Sequence, residues 1–270
     1  MRSFARTPDK VQSTVERVMN ALTKILFYRG KSWYISNVLV VVPTGEQYKD
    51  HDCGLLAEAI SQSWLEYWSD HKSTVPASIS IIDEGREDIF VGIQDLAAHV
   101  LSIRGCDIMV TLAPSAFRYF DLGTANEMMK AFMSGAKVAG VSIPEDGISE
   151  FVNRGTLGGP ITAWDIKTLI EAGGFDQSAA QSMVGRENPN AGCEEIHPLV
   201  RIVRKYGPCI ATIQTQARAE ERKLEGEDLA RHMKQIETKT ARQLAHAKSL
   251  GVDNLDFFSA GVMPEYRLDK

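Results

Sequence analysis

Between Asn37 and Ala172 the chain alternates short apolar runs with longer stretches whose apolar residues recur at helical spacing, and this restricts it to an α/β fold. Val38 to Val42 is an unbroken β-branched and leucine run, the pattern of a strand buried on both faces, and Pro43-Thr44-Gly45 ends it. Further strands are predicted at Ser78 to Ile82, Ile108 to Leu112 and Lys137 to Ser142, with a short last one opening at Ile161 to Ala163. Helices are predicted at Leu55 to Trp68, Ile89 to Ile103, Thr124 to Met133 and Asp165 to Ala172. Strands joined through helices imply right-handed crossovers and a parallel sheet with flanking helices. Ligands of such sheets sit beyond the carboxyl ends of the strands. The loops that matter are then Pro43 to Asp52, Asp83 to Asp88, Ala113 to Gly123 and Ile143 to Gly159.

The flanks read differently. Thr7-Pro8-Asp9 is a helix start, with a capping hydroxyl, a proline at the first position and an acid in the first turn. Val11, Val15, Val18, Leu22 and Ile25 follow at helical spacing, and Gly30 ends the element. After Gly173 the alternation stops. Arg186 to Gly192 reads as a loop and His197-Pro198 as a turn, while Ile213 to Leu250 reads as a long, charge-rich helical stretch interrupted near Gly226. The expected layout is an N-terminal helix in 1–36, an α/β domain in 37–176 and a mostly helical extension in 177–270. Apolar positions in that extension are sparse, so it suits a surface arm or a subunit contact, and a homo-oligomer is expected.

Composition narrows the function. Hydrophobic residues make up 44% and charged residues 24% of 270, enough apolar material for a real core. The formal charge is −5 and the basic residues are interspersed with acids, which argues against a nucleic-acid binder. Met1 to Lys10 has no apolar signal core and no run is long enough to span a membrane, so a cytosolic protein is expected. Cys53, Cys106, Cys193 and Cys209 show no paired spacing, and Cys193 with His197 supplies only two ligands of a tetrahedral site. No metal or cofactor is expected. The acidic run Asp83 to Asp88 reads as a solvated loop.

The chemistry concentrates in Cys106 to Val141, where a strand delivers a loop that ends in Asp121-Leu122-Gly123-Thr124-Ala125-Asn126-Glu127 at a helix start. Gly123 lets backbone approach a ligand, Thr124 offers a capping hydroxyl, and Glu127 is expected one turn in, where the helix dipole favours an ionised carboxylate. Such a carboxylate suits attack on a sugar anomeric carbon. The bland alternative is a capping box, with Glu127 bonding back to the helix start.

This stretch resembles the nucleoside 2-deoxyribosyltransferase family, whose pattern is an Asp at the start of a strand, a loop, and then Asp-x-Gly-x-x-x-Glu. The resemblance covers 37–176, carried mainly by 106–146, and continues through Lys137 to Val141 into Pro144-Glu145-Asp146. It implies a flavodoxin-like parallel sheet, a nucleophile at Glu127, a sugar-binding acid at Asp121 and no cofactor. It also implies an acid on the preceding helix as proton donor. Asp95 fits best, although it lies about one helical turn further from Asp107 than the family spacing, a position that His99 occupies. Gly45 falls in the glycine-containing first loop, and Asn153 is a candidate donated to a neighbouring subunit's site. The family's first-strand Tyr is missing from Val38 to Val42, with Tyr48 and Tyr119 as substitutes. Phosphate-accepting members carry a serine where this chain has Asp121, so nucleosides are the expected substrates. The rival readings are a phosphoribohydrolase acting on nucleoside monophosphates, which shares Gly123-Thr124-x-x-Glu127 but has a double glycine before it, and a non-catalytic nucleotide-sensing domain.

Overall fold

The computed structural model describes residues 8–29, 37–43, 53–70, 78–84, 89–112, 117, 119–142, 161–176, 193–214, 226, 230, 241–254 and 256–267. Helix α1 spans Pro8–Arg29, with Pro8 at its first position and Asp9 in its first turn. Its stripe of Val15, Val18, Leu22 and Ile25 is buried, as the periodicity predicts, and α1 lies along α2, Cys53–Asp70. Strands β1, Asn37–Pro43, and β2, Ser78–Glu84, pair in parallel with Val38 opposite Ile79. Helix α3, Ile89–Ile103, leads into β3, Ile108–Leu112, and α4, Leu122–Met133, into β4, Val138–Ser142. Then come β5, Ile161–Asp165, and α5, Ile166–Glu171.

The larger sheet is mixed. Its order is β3-β5-β4-β6, where β6 is Ile210–Gln214, and β5 runs antiparallel to both of its neighbours. The all-parallel, flavodoxin-like sheet expected from the sequence is therefore not what these strands form. Strand β5 is buried on both faces, and a run that is apolar on both faces suits the interior of the sheet in either direction.

The region after 176 holds a further α/β unit. Helix α6, Ile196–Tyr206, feeds β6, which pairs in parallel with β4, placing Val138 opposite Ile210 and Val141 opposite Ile213. His197-Pro198 is part of that helix, not a turn. Pro198 sits in the first turn, where its missing N–H is one that no intrahelical bond uses. Ile213 and Gln214 lie in β6 and not in the long helical stretch expected from Ile213, most of which lies outside the described residues; residues 241–249 form α7. Helix α8, Asp256–Gly261, and a 3-10 turn at Pro264–Tyr266 follow. The chain passes along the open edge of β6 through Cys209 N–H to the Gly261 carbonyl and Met263 N–H to the Ile210 carbonyl, each 2.8 Å. This close passage explains Gly261, because a Cβ there would lie 2.7 Å from Val203 Cγ2.

Helices cover both faces. One buried cluster joins α1, α2 and α4 to Leu112, Ala139, Ile161, Ala163 and Ala211. The other joins α3, α5, α6 and α8 to Met109, Val138, Trp164 and Ile210. Successive strand residues, such as Ala163 and Trp164, divide between the two clusters because side chains alternate across a strand. Leu39 and Val40 of β1 divide in the same way. No helix among the described residues is long and apolar enough to cross a membrane.

Candidate functional site

Helix α4 begins just beyond the carboxyl end of β3, and β3, β4 and β6 share one direction. The first two turns of α4 therefore stand at the sheet edge where ligands of α/β proteins bind. Asp121, Gly123, Thr124 and Glu127 all lie there.

Their roles differ from the sequence expectation in one respect. Asp121 is the N-cap: its Oδ1 accepts the Thr124 N–H at 2.7 Å, with extended backbone at φ −97° and ψ 176°. A cap of this kind is worth about 1 kcal/mol. Thr124 does not cap. It is buried at the third helical position, and its hydroxyl donates to the Tyr119 carbonyl at 3.5 Å. Glu127 consequently sits six positions in, beyond the turn over which the helix dipole acts, and no capping box with Thr124 forms. What Glu127 has instead is a cation. Lys130 Nζ donates to Glu127 Oε1 at 2.5 Å, and the carboxylate holds the Lys130 ammonium above its ordinary range. The Glu127 side chain is 49% exposed, so it is open to an incoming molecule. Gly123 is exposed, with Asp121 Oδ1 3.4 Å from where a Cβ would stand. Tyr119 is buried in the core beside α4.

Asp95 is not brought to this place. It lies on α3, whose Ala97, Ala98 and Leu101 bury into the opposite face of the sheet from Ala125, Met128 and Ala131 of α4. Its Oδ1 accepts the Phe175 N–H at 2.8 Å, fastening α3 to the turn after α5. Asp95, His99, Leu169, Gly173 and Gly174 border a cleft of about 160 Å3. That is below the roughly 300–1,000 Å3 usual for small-molecule sites. Gly45, Tyr48 and Asn153 lie outside the described residues, as does most of the acidic loop after Glu84.

Burial pushes the Cys209 thiol up to about 11. No group of three or more His, Cys, Asp or Glu side chains among the described residues converges as a metal site.

Sequence reasoning misses a polar seam formed by Asp176, His197, Arg201 and His246. A usable signal exists, because Ile196, Leu199, Val200 and Val203 recur at helical spacing and mark α6 as amphipathic. Reading Pro198 as a breaker hides it.

Comparison with known proteins adds no relative: no family model, no curated protein and no solved structure matches the chain.

Proposed function

We propose that the chain binds a nucleoside at the start of α4 and cleaves or transfers its base through a covalent glycosyl intermediate on Glu127. One observation carries this reading: Asp121 and the half-exposed Glu127 are presented by a single helix that opens at the carboxyl end of β3. In the proposed step a Glu127 Oε attacks C1′, the C1′–N bond breaks, and its electron pair leaves with the base, which takes up a proton. Water or a second base then attacks C1′ and releases the carboxylate. Lys130 must swing off Oε1 first, which an exposed ion pair allows at little cost. The second oxygen of Asp121 is the atom for a sugar hydroxyl. Asp95 is better supported as the anchor of the Phe175 turn than as the proton donor.

The test is incubation with a panel of nucleosides and their 5′-monophosphates, followed by chromatography for free base. Nucleosides are expected to give the higher kcat/KM, because a phosphate close to Asp121 meets a like charge at a cost on the order of 1–4 kcal/mol. Equal or better use of the monophosphates would replace this reading with a phosphoribohydrolase.

A non-catalytic, nucleotide-sensing domain is the second reading. It is favoured by the commitment of Glu127 to Lys130 and of Asp95 to Phe175. Saturable binding of a panel member with no base released would select it.

The proposal includes a homo-oligomer. Leu55 and Leu65 of α2 are 54% and 63% exposed, on a helix that already lies along α1. Light scattering on the full chain decides this; a monodisperse monomer removes it.

A further inference from the structure

The turn that leads into α4 is anchored against α1. Phe117, Tyr119 and Phe120 are only 4%, 3% and 4% exposed, although connecting segments usually run over the surface. Their side chains join the buried cluster that holds Val18, Ala21, Leu22 and Ile25 of α1 and Ala125 and Met128 of α4. The Phe120 N–H donates to the Phe117 carbonyl at 3.0 Å and closes a tight turn. The two phenyl rings lie 6.0 Å apart and tilted by 56°. Lys24 of α1 reaches over this turn, with its Nζ 5.9 Å from the centre of the Phe117 ring, within the range of a cation–π contact.

Beyond the turn, the backbone is tied to the helix it opens. The Tyr119 carbonyl accepts the Thr124 hydroxyl at 3.5 Å, and the Asp121 carbonyl accepts the Ala125 N–H at 3.0 Å. Asp121 Oδ1 accepts the Thr124 N–H at 2.7 Å. One carboxylate oxygen is thereby fixed, and the direction of the other depends on where the turn sets residue 121. A binding group works when it is held within about 0.5 Å of its productive place by neighbours that are themselves locked by packing. For Asp121 those neighbours begin at Lys24 and Phe117.

We propose that Phe117 is a positioning residue for the Asp121 carboxylate, and that α1 keeps Phe117 seated through Lys24 and its buried stripe. The N-terminal helix then contributes to the nucleoside site through this turn. The inference rests on the reading that Asp121 takes a sugar hydroxyl. Such a bond forms in the ground state and persists in the transition state. Loosening Asp121 therefore weakens binding and leaves the step on Glu127 largely unchanged.

Phe117→Ala and Phe117→Leu in the full chain test it with two readouts. Hydrogen exchange reports the turn directly: in Phe117→Ala the Thr124 and Ala125 amides are expected to lose about tenfold or more in protection. Amides of Met128 to Phe132 are expected to keep theirs. With a nucleoside that the wild type turns over, KM is expected to rise about tenfold and kcat to stay within about twofold. Phe117→Leu refills the space and is expected to recover most of both losses. Full protection of Thr124 and Ala125 in Phe117→Ala overturns the proposal whatever the nucleoside result. Lost protection with an unchanged KM, or with a fall in kcat alone, makes Phe117 a core residue and overturns the positioning role. Should Phe117→Ala not fold, Lys24→Ala at its exposed position replaces it, with an expected change of about two- to fivefold in the same amides and the same KM. No change in either overturns the proposal. Where the wild type releases no base, a dissociation constant replaces KM. A wild type that binds no nucleoside removes this role together with the proposed function, and the exchange result tells that failure from a failure of the turn.

Discussion

Glu127→Ala is expected to lower base release or exchange by about 10³-fold or more while leaving the melting temperature where it was. The scale is that of removing a covalent nucleophile, whose loss leaves only binding and orientation. The unchanged stability follows from the side chain's surroundings. Glu127 is half exposed, caps nothing, and touches Lys130 through a surface ion pair of the sort that contributes little. Steady-state assay and thermal denaturation of the same two proteins check both halves. Wild-type turnover in the variant would remove Glu127 from the chemistry.

Gly174→Ala is expected to be among the most damaging small substitutions on the opposite face. Gly174 has φ +71°, and an alanine Cβ there would overlap Asp95 Oδ1, with Asp95 Cγ only 2.8 Å away. Gly105 provides a matched control, since its φ is +74° and a Cβ there meets nothing within 4 Å. Gly105→Ala should therefore show the left-handed backbone penalty alone, about 1 kcal/mol. Gly174→Ala should add the loss of the Asp95–Phe175 hydrogen bond, giving a total of about 3 kcal/mol. In a chain of this size that corresponds to a melting temperature lower by roughly 6–12 °C. Adding Asp95→Ala to Gly174→Ala should cost less than the two single losses summed, because both act on one contact. Equal effects of Gly105→Ala and Gly174→Ala would show that Asp95 does not hold this turn.

Much of the frame is legible in the residues. The apolar runs at Val38 to Val42 and Ile108 to Leu112 are strands, and Val15, Val18 and Leu22 face inward on α1. These signals are local, and periodicity reports local structure well. Strand direction is another matter. Nothing within Ile161 to Asp165 says which way it runs. Pro198 misleads because one residue serves both to break a helix and to open one. At the site, Asp121 and Thr124 each have a side-chain oxygen able to cap, and only the backbone path shows which of them does. That exchange moves Glu127 inward along the helix. Asp95 does lie on the helix expected of it, but a position along a helix does not tell which face of the sheet that helix covers.

The reversed direction of β5 bears on how readily the molecule could change its selectivity. Ser142 leaves β4, and Ile161 enters β5, at the same edge as the start of α4, since Ile161 lies opposite Leu112 and Gly140 opposite Thr162. Ser142 and Ile161 thus stand at one rim of the sheet. Doubling a loop adds only about 0.6 kcal/mol of closure entropy. A change of chain length between these two strand ends is expected to be tolerated on closure entropy alone. For the nucleoside site proposed at the start of α4, this rim is where an engineer would begin.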